Sequence, residues 1–176
     1  MKKISKFLSA VLLSSLISGS VFAMPTSEMA IGGVTPGSPL SYVENIYGNP
    51  DRTEKVVNNL YRQYEAYWGK GYKMKVLSNG NVNAITTYAN NGLGTPAGLA
   101  VGQNIQVMYD LYGSPATTNN FKRDGYIRHH YRNTLDSGKD YVHSMNMVVK
   151  EKKGKIIEIS CYESYEGPVL PYYAET

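Results

Sequence analysis

Apolar and polar positions follow the same order twice in this chain, at a spacing of 65 residues. Segments 33–50 and 98–115 align without a gap, and in both an apolar residue recurs every three or four positions before a Tyr-Gly-x-Pro sequence. This spacing is typical of a short amphipathic helix, which the glycine ends and the proline keeps from resuming. A match at a fixed period predicts a duplicated structural unit. The residues predicted to have a structural role, at the ends of the two helices, are Gly48, Pro50, Gly113 and Pro115.

Each predicted helix has one apolar face for burial. The faces consist of Leu40, Val43, Ile46 and Tyr47 in the first helix and of Ile105, Met108, Leu111 and Tyr112 in the second. Ser38 is the predicted N-cap of the first helix, with Pro39 at its first position, where the missing N–H costs nothing. Gln103 stands at the matching cap position of the second helix and is a poorer cap.

After each helix the apolar period changes to two, which is typical of strands. The predicted strands are 60–68, 73–77 and 82–88, followed in the second unit by 126–132, 141–150 and 156–162. We therefore predict an α+β fold of two tandem repeats, each a helix followed by a three-strand meander. The repeats would form one antiparallel sheet of about six strands with both helices packed on one face. We call the other, uncovered face the open face.

The first 23 residues have the parts of a secretory signal. Lys2, Lys3 and Lys6 precede an apolar run over 7–17, and small residues lead to Ala23. The run is too short to span a bilayer, although a retained anchor is the rival interpretation. We expect a periplasmic or secreted protein after cleavage following Ala23. The predicted divisions are 1–23 signal peptide, 24–30 N-terminal arm, 31–95 repeat 1, 96–166 repeat 2 and 167–176 C-terminal tail.

The charge of the chain changes when the predicted signal is set aside. The chain has 18 basic and 14 acidic residues, but three of the lysines lie in the signal, which leaves 15 against 14. The sequence pI of about 9.0 therefore does not indicate a nucleic-acid partner. Each repeat is near the lower size limit for burying its own core, so both halves are expected to share one core.

Candidate catalytic and metal-binding groups are few. His129 and His130 are adjacent, so on a strand they point to opposite faces, and at most one could join His143 in a metal site. The simpler expectation is that the histidines are exposed or half-exposed strand residues. Cys161, the only cysteine, alternates with Ile157 and Ile159 and is expected to be buried and inert. No nucleophile or zinc-binding motif occurs in the sequence. We expect no enzyme, no cofactor and no metal.

Tyrosine is the residue type that most suggests a function. The chain has 16 tyrosines, and Tyr88 and Tyr162 each follow an isoleucine of a last predicted strand by three positions. An odd separation reverses the face, so both tyrosines would lie on the open face. Tyrosine is enriched at protein interfaces, but it also suits an ordinary sheet surface. The candidate protein-binding residues are Tyr88, Tyr162, Thr86, Glu158 and Ser160.

The repeated Gly-apolar-x-x-Gly phrase, with its Gly-x-Pro end and following meander, resembles the unit of the SmpA/OmlA (BamE-like) envelope proteins. Two such units in an exported chain are similar to the β-lactamase inhibitor protein superfamily. The resemblance covers residues 31 to 166 and implies one continuous sheet whose open face holds a protein partner. The lipid-attachment cysteine of the first group and the disulfides of the second are missing here.

The sequence therefore favours an exported, non-enzymatic protein-binding module, and the second resemblance implies an inhibitor-like mode of binding. Its partner would be another protein of the cell envelope or the extracellular space. No nucleic acid and no membrane span after signal cleavage are expected. The alternative is a cell-envelope structural or assembly factor that binds peptidoglycan or an outer-membrane component.

Overall fold

The computed structural model describes residues 24–56, 63–138 and 142–167. Within these residues the two helices are α1 (Leu40–Tyr47) and α2 (Ile105–Tyr112). The strands are β1 (Arg52–Val56), β2 (Gln63–Trp68), β3 (Tyr72–Leu77), β4 (Val82–Thr87), β5 (Thr117–Phe121), β6 (Tyr126–Ser137), β7 (Val142–Lys152) and β8 (Lys155–Glu166). The fold is α+β, with strands predominating. In the part of the chain described, no helix is long and apolar enough to cross a bilayer.

One antiparallel sheet contains all eight of these strands, in the order β1-β2-β3-β4-β8-β7-β6-β5. The prediction of about six strands is wrong because it lacked β1 and β5, so four strands rather than three follow each helix. Both missed strands lie at the edges of the sheet, and four of the five residues in each are exposed. Edge strands rich in charged and polar residues resist aggregation, but they have no apolar alternation to reveal them.

Both helices pack on the same face of the sheet. At the end of α1, Trp68 Nε1 donates a hydrogen bond to the Gly48 carbonyl at 3.0 Å. At the end of α2, the Tyr131 hydroxyl donates to the Gly113 carbonyl at 2.8 Å. Directly opposed residues of neighbouring strands share a face, and the strand register places Trp68 and Tyr131 on one face. The opposite face of the sheet is the open face.

A single hydrophobic core fills the space between the helices and the sheet. Val43 of α1 and Met108 of α2 belong to the same cluster as Ile85 and Ile159 of the two central strands. Cys161 is fully buried in this cluster, and burial raises the pKa of its thiol. A buried, protonated thiol is a packing group rather than a nucleophile.

The segment predicted as an N-terminal arm is packed into the core. Met24 and Met29 are buried members of the cluster. Asn133 Nδ2 donates to the Met24 carbonyl at 3.1 Å, and Glu28 accepts from the Ala97 backbone N–H at 3.0 Å. The beginning of the described chain is therefore bound to its second half, in addition to the contact between β4 and β8.

The helix starts differ from the prediction by one residue. Pro39, not Ser38, is the N-cap of α1, and no side chain caps this helix. The Ser38 hydroxyl instead lies 3.1 Å from the Thr35 hydroxyl. Asn104, not Gln103, caps α2, and its side chain accepts from the Gln106 N–H at 2.9 Å. A local turn bond can occupy a hydroxyl that sequence alone would assign to a cap.

The buried faces of the helices are narrower than predicted, because Ile46 and Leu111 are 47% and 41% exposed. At about 100° per residue, Leu40, Val43 and Tyr47 fall within roughly 60° of one another, and Ile46 falls outside that arc. A helix of eight residues contacts the sheet only along this arc. Leu111 has the corresponding position in α2.

Both helices end at a glycine with a positive φ. Gly48 has φ 75° and ψ −173°, and Gly113 has φ 68° and ψ −155°. Their N–H groups donate to the carbonyls of Glu44 at 2.8 Å and Tyr109 at 2.9 Å. A positive φ with an extended ψ is accessible almost only to glycine. Pro50 and Pro115 follow in the short links to β1 and β5.

The Gly113→Val variant is expected to lose about 1–3 kcal/mol of the free energy of unfolding. No atom lies within 4 Å of a Cβ at this position, so backbone strain alone carries the cost. Urea unfolding monitored by circular dichroism measures it. Ser114→Val is the control, because Ser114 is exposed, lacks a positive φ and should change stability by only about 0.5 kcal/mol. Equal midpoints for the two variants would contradict the role of Gly113.

Candidate functional site

The open face has a groove at the centre of the sheet, where its two halves join. The groove has a volume of about 560 Å³ and is lined by residues from strands β2 to β8. Thr86 of β4 and Ser160 of β8 lie directly opposite each other, with their hydroxyl oxygens 3.0 Å apart. Tyr162 follows on the same face of β8, opposite Ala84. Glu158 lies on this face on the other side of Ser160.

Four of the five predicted residues therefore line one groove, and Tyr88 lies apart from them. Tyr88 is one residue beyond the end of β4 and is 43% exposed. Its N–H donates to the Gly71 carbonyl at 2.8 Å. Because Ala84 is opposite Tyr162, Tyr88 is displaced from Tyr162 by four residues, or roughly 13 Å along the strand. The two tyrosines do not form one cluster.

The ring of Tyr162 is held in place by polar neighbours. It stacks on His130 at a centroid distance of 6.5 Å and an interplanar angle of 15°. His130 Nε2 is hydrogen-bonded to Asn146 Oδ1 at 2.9 Å, and Asn146 Nδ2 donates to the Ser164 hydroxyl at 2.9 Å. Because Asn146 is buried, its hydrogen bonds fix the orientation of the His130 ring, and the Tyr162 ring stacks on that ring.

One side of the groove carries an ion pair with a tyrosine bound to it. Lys73 Nζ lies 3.0 Å from Glu65 Oε1, and the Tyr67 hydroxyl donates to Glu65 Oε2. Burial acts to raise the pKa of Glu65, but the bonds from Tyr67 and Lys73 outweigh it and hold the pKa below its ordinary value. Glu65 is therefore ionised near neutral pH and neutralises Lys73.

The other side of the groove has a similar pair. Lys150 Nζ lies 2.8 Å from Glu158 Oε1 and 5.2 Å from the centroid of Tyr126. The Tyr126 ring stacks on Phe121 at 4.9 Å. Val148, only 5% exposed, forms the apolar floor of the groove.

The groove has two further cations, of which Lys75 lies directly opposite Glu65 in the pairing of β2 with β3 and helps to lower the pKa of that carboxyl. Lys75 and Arg128 line the groove but form no ion pair among the described residues. Arg128 Nε is buried and lacks a hydrogen-bond acceptor in the described structure. Since Glu65 and Glu158 offset Lys73 and Lys150, these two cations give the groove a net positive charge.

The three histidines do not converge. His129 faces the helices and is buried, which corrects the expectation of an exposed or half-exposed side chain. Burial lowers its pKa, and its Nδ1 lies 3.4 Å from the Tyr109 hydroxyl. His130 lies on the open face and stacks on Tyr162, whereas His143 stacks on Tyr165 at 4.1 Å. No group of three potential metal ligands occurs within the described ranges.

Sequence reasoning did not single out Lys75, Arg128 or Asn146, and it considered His130 only as a metal ligand. The alternation of Lys73-Met-Lys75 did indicate a solvated face, but the strand order decides that β3 and β6 line the same groove. The adjacent His129 and His130 also indicated that one histidine would face each way.

Comparison with known proteins adds little. No protein-family model matches the chain, and no curated protein matches it. Among solved structures it is similar to a protein from Streptococcus mutans that is described as a candidate beta-lactamase inhibitor protein. The superposition covers 77% of this chain and 86% of that chain, with 9% sequence identity and a TM-score of 0.32. A structural similarity this low does not indicate a function. The function proposed below is inferred from the geometry of the groove.

Proposed function

We propose that this protein is an exported, non-enzymatic protein-binding module that uses the open face of its sheet in an inhibitor-like manner. One observation carries the proposal: both helices cover one face, and the other face has a groove that is lined by Tyr162, whose ring stacks on His130. Tyrosine offers a large, rigid contact area with one polar tip, so it contributes strongly to protein interfaces.

The proposal includes a duplication of one structural unit. Such a duplication would explain why the groove lies in the middle of the sheet, where the two halves join. Each helix has eight residues and precedes four antiparallel strands. The last strands of the two units align at a spacing of 74 residues, Val82 with Ile156 and Ile85 with Ile159, so Thr86 corresponds to Ser160, and these two residues oppose each other where β4 pairs with β8. Two equal units related by a two-fold axis at this pair would build a sheet wide enough to form the groove.

The shape of the groove favours a protein over a small molecule. It is an open depression across the sheet, whereas small-molecule sites bury most of their ligand. The side chains best suited to chemistry lie elsewhere: Cys161 and His129 are buried on the face that contacts the helices. Export follows from the pattern of residues 1–23, and an N-terminus at Met24 in the mature protein would test it.

The Tyr88→Ala/Tyr162→Ala double variant is expected to lose its partner while remaining folded. Removing a tyrosine from an interface centre costs about 2 kcal/mol or more, or roughly a 30-fold loss of affinity. The parent and variant proteins would be immobilised, proteins captured from an envelope extract identified, and the affinity of each purified protein measured. Tyr42→Ala is the matched control, since Tyr42 is about as exposed as Tyr88 but lies on α1.

Unchanged affinity of the double variant for every recovered partner would contradict the proposal. Capture of peptidoglycan in place of a protein would instead favour the structural or assembly factor. The single variants separate the two positions, and Tyr162→Ala is expected to account for most of the loss because only Tyr162 lines the groove.

A further inference from the structure

The groove on the open face has an uneven distribution of charge. Its two carboxylates are each paired with a lysine, Glu65 with Lys73 and Glu158 with Lys150. Lys75 on β3 and Arg128 on β6 form no ion pair in the described residues, although Lys75 lies opposite Glu65, so the groove has two cations in excess of its carboxylates. The central strand β8 runs between β3 and β6 in the sheet order.

We infer that the groove binds an acidic segment of a partner protein, with Lys75 and Arg128 each binding a carboxylate. This inference rests on the proposed function and adds the chemistry of the partner. The ligand is a stretch of polypeptide with one acidic residue near each end. The uncharged residues between the two acidic residues contact Tyr162.

Arg128 provides the more specific of the two contacts. Its Nε is a buried donor without an acceptor in the described structure, and a buried unbonded donor is unfavourable. Arg128 also lies directly opposite Lys150 in the pairing of β6 with β7, and like charges in this position repel. A carboxylate from a partner would accept from the guanidinium in a planar, two-bond arrangement and would offset the repulsion.

The spacing of the two cations sets the length of the segment. Four strand-to-strand steps separate β3 from β6, which is about 19 Å at roughly 4.8 Å per step. The register adds an offset along the strands, because Lys75 lies in one row with Tyr162 and Arg132, and Arg128 is four residues, or roughly 13 Å, from Arg132. The two cations are therefore about 23 Å apart, which an extended polypeptide covers in about seven residues. On β8, the middle strand of the five, Ser160 lies at the midpoint between the two cations, and Tyr162 follows two residues away on the same face, so its ring would contact the segment beside its centre.

The paired carboxylates argue against a uniformly anionic polymer. Glu65 and Glu158 lie in the same groove as the cations, so a polysaccharide or nucleic acid with charge on every unit would meet repulsion there. Nucleic-acid surfaces have a basic patch or stripe, which two separated cations do not form. A peptide can place two carboxylates at the two cations and neutral groups elsewhere.

Fluorescence polarisation with the mature protein and labelled peptides of about ten residues tests this inference. One peptide has two glutamates about seven positions apart with uncharged residues between them, and the matched peptide has glutamines in their place. At low salt the glutamate peptide is expected to bind about tenfold more tightly than the glutamine peptide. The Lys75→Gln/Arg128→Gln variant should lose this preference.

The matched control is Lys55→Gln/Lys155→Gln, which changes the net charge by the same amount at two exposed positions outside the groove lining. It should keep the preference for glutamate. Unchanged thermal melts verify that the variants are folded. Arg128→Lys, which keeps the charge but not the planar fork, should keep only part of the preference.

Equal or absent binding of the two peptides would overturn the inference, as would an equal loss in the control. Tighter binding of polygalacturonate, through the same two cations, would show that an anionic glycan is the ligand instead. If captured proteins depend on Tyr162 but not on Lys75 and Arg128, the proposed function stands and only the acidic preference fails.

Discussion

A fragment of residues 24–94 is expected to remain unfolded under conditions in which the full mature chain melts cooperatively. This fragment has α1 and strands β1 to β4, but β4 would lose its partner β8. Ile85, which lies opposite Cys161, would be exposed on a new sheet edge, and the Met24 carbonyl would lose its bond from Asn133. A core of this size gives little stability by itself.

Far-UV circular dichroism and thermal melts measure the folding of the fragment. The control is a chain of residues 24–167, which lacks only the C-terminal tail and is expected to melt as sharply as the full mature chain. A cooperative, two-state melt of the 24–94 fragment would show that each half folds independently, and the single core would then be the wrong description.

The Gly71→Ala variant is expected to lose on the order of 3 kcal/mol of the free energy of unfolding, which is a large part of the stability of an ordinary domain. Gly71 has φ 81°, and an added methyl group would overlap the Ala89 side chain and lie 2.8 Å from the Ala89 backbone nitrogen. Its carbonyl accepts from the Tyr88 N–H, so the expected shift also displaces the end of β4.

The same turn supplies a matched control. Gly69 also has a positive φ, 51°, but nothing lies within 4 Å of a methyl group added there. Gly69→Ala should therefore cost only about 1–2 kcal/mol, the cost of the backbone conformation. Urea unfolding of both variants separates this cost from the steric overlap. Equal losses would mean that Gly71 does not need to approach Ala89 closely.

The parts of the fold that follow from local chemistry could be predicted from the sequence. The Gly-x-Pro pattern indicated where both helices end, and the alternation of Lys73-Met-Lys75 indicated a strand with one solvated face. The N-terminal residue of α1 and the exposed Ile46 depend on a turn bond and on how much of a short helix reaches the sheet. The spacing of apolar residues in the sequence predicts neither the first residue of α1 nor the exposure of Ile46.

The candidate site was predictable in the same limited way. Period-two alternation correctly placed Thr86, Ser160 and Tyr162 on one face, because the face depends only on odd or even position along a strand. The separation of Tyr88 depends on where β4 ends. That Lys75 and Arg128 line the same groove depends on strand order, which long-range pairing determines.

Site-specific photo-cross-linking tests the central claim most directly, because it reports which face a partner touches. Tyr162 and Tyr42 would each be replaced, in separate proteins, by the photoreactive p-benzoylphenylalanine, which retains an aromatic ring at each position. Irradiation in an envelope extract is expected to link a partner protein to the Tyr162 position and not to the Tyr42 position on α1. Cross-links from the Tyr42 position alone would contradict the account and move the binding surface to the helices.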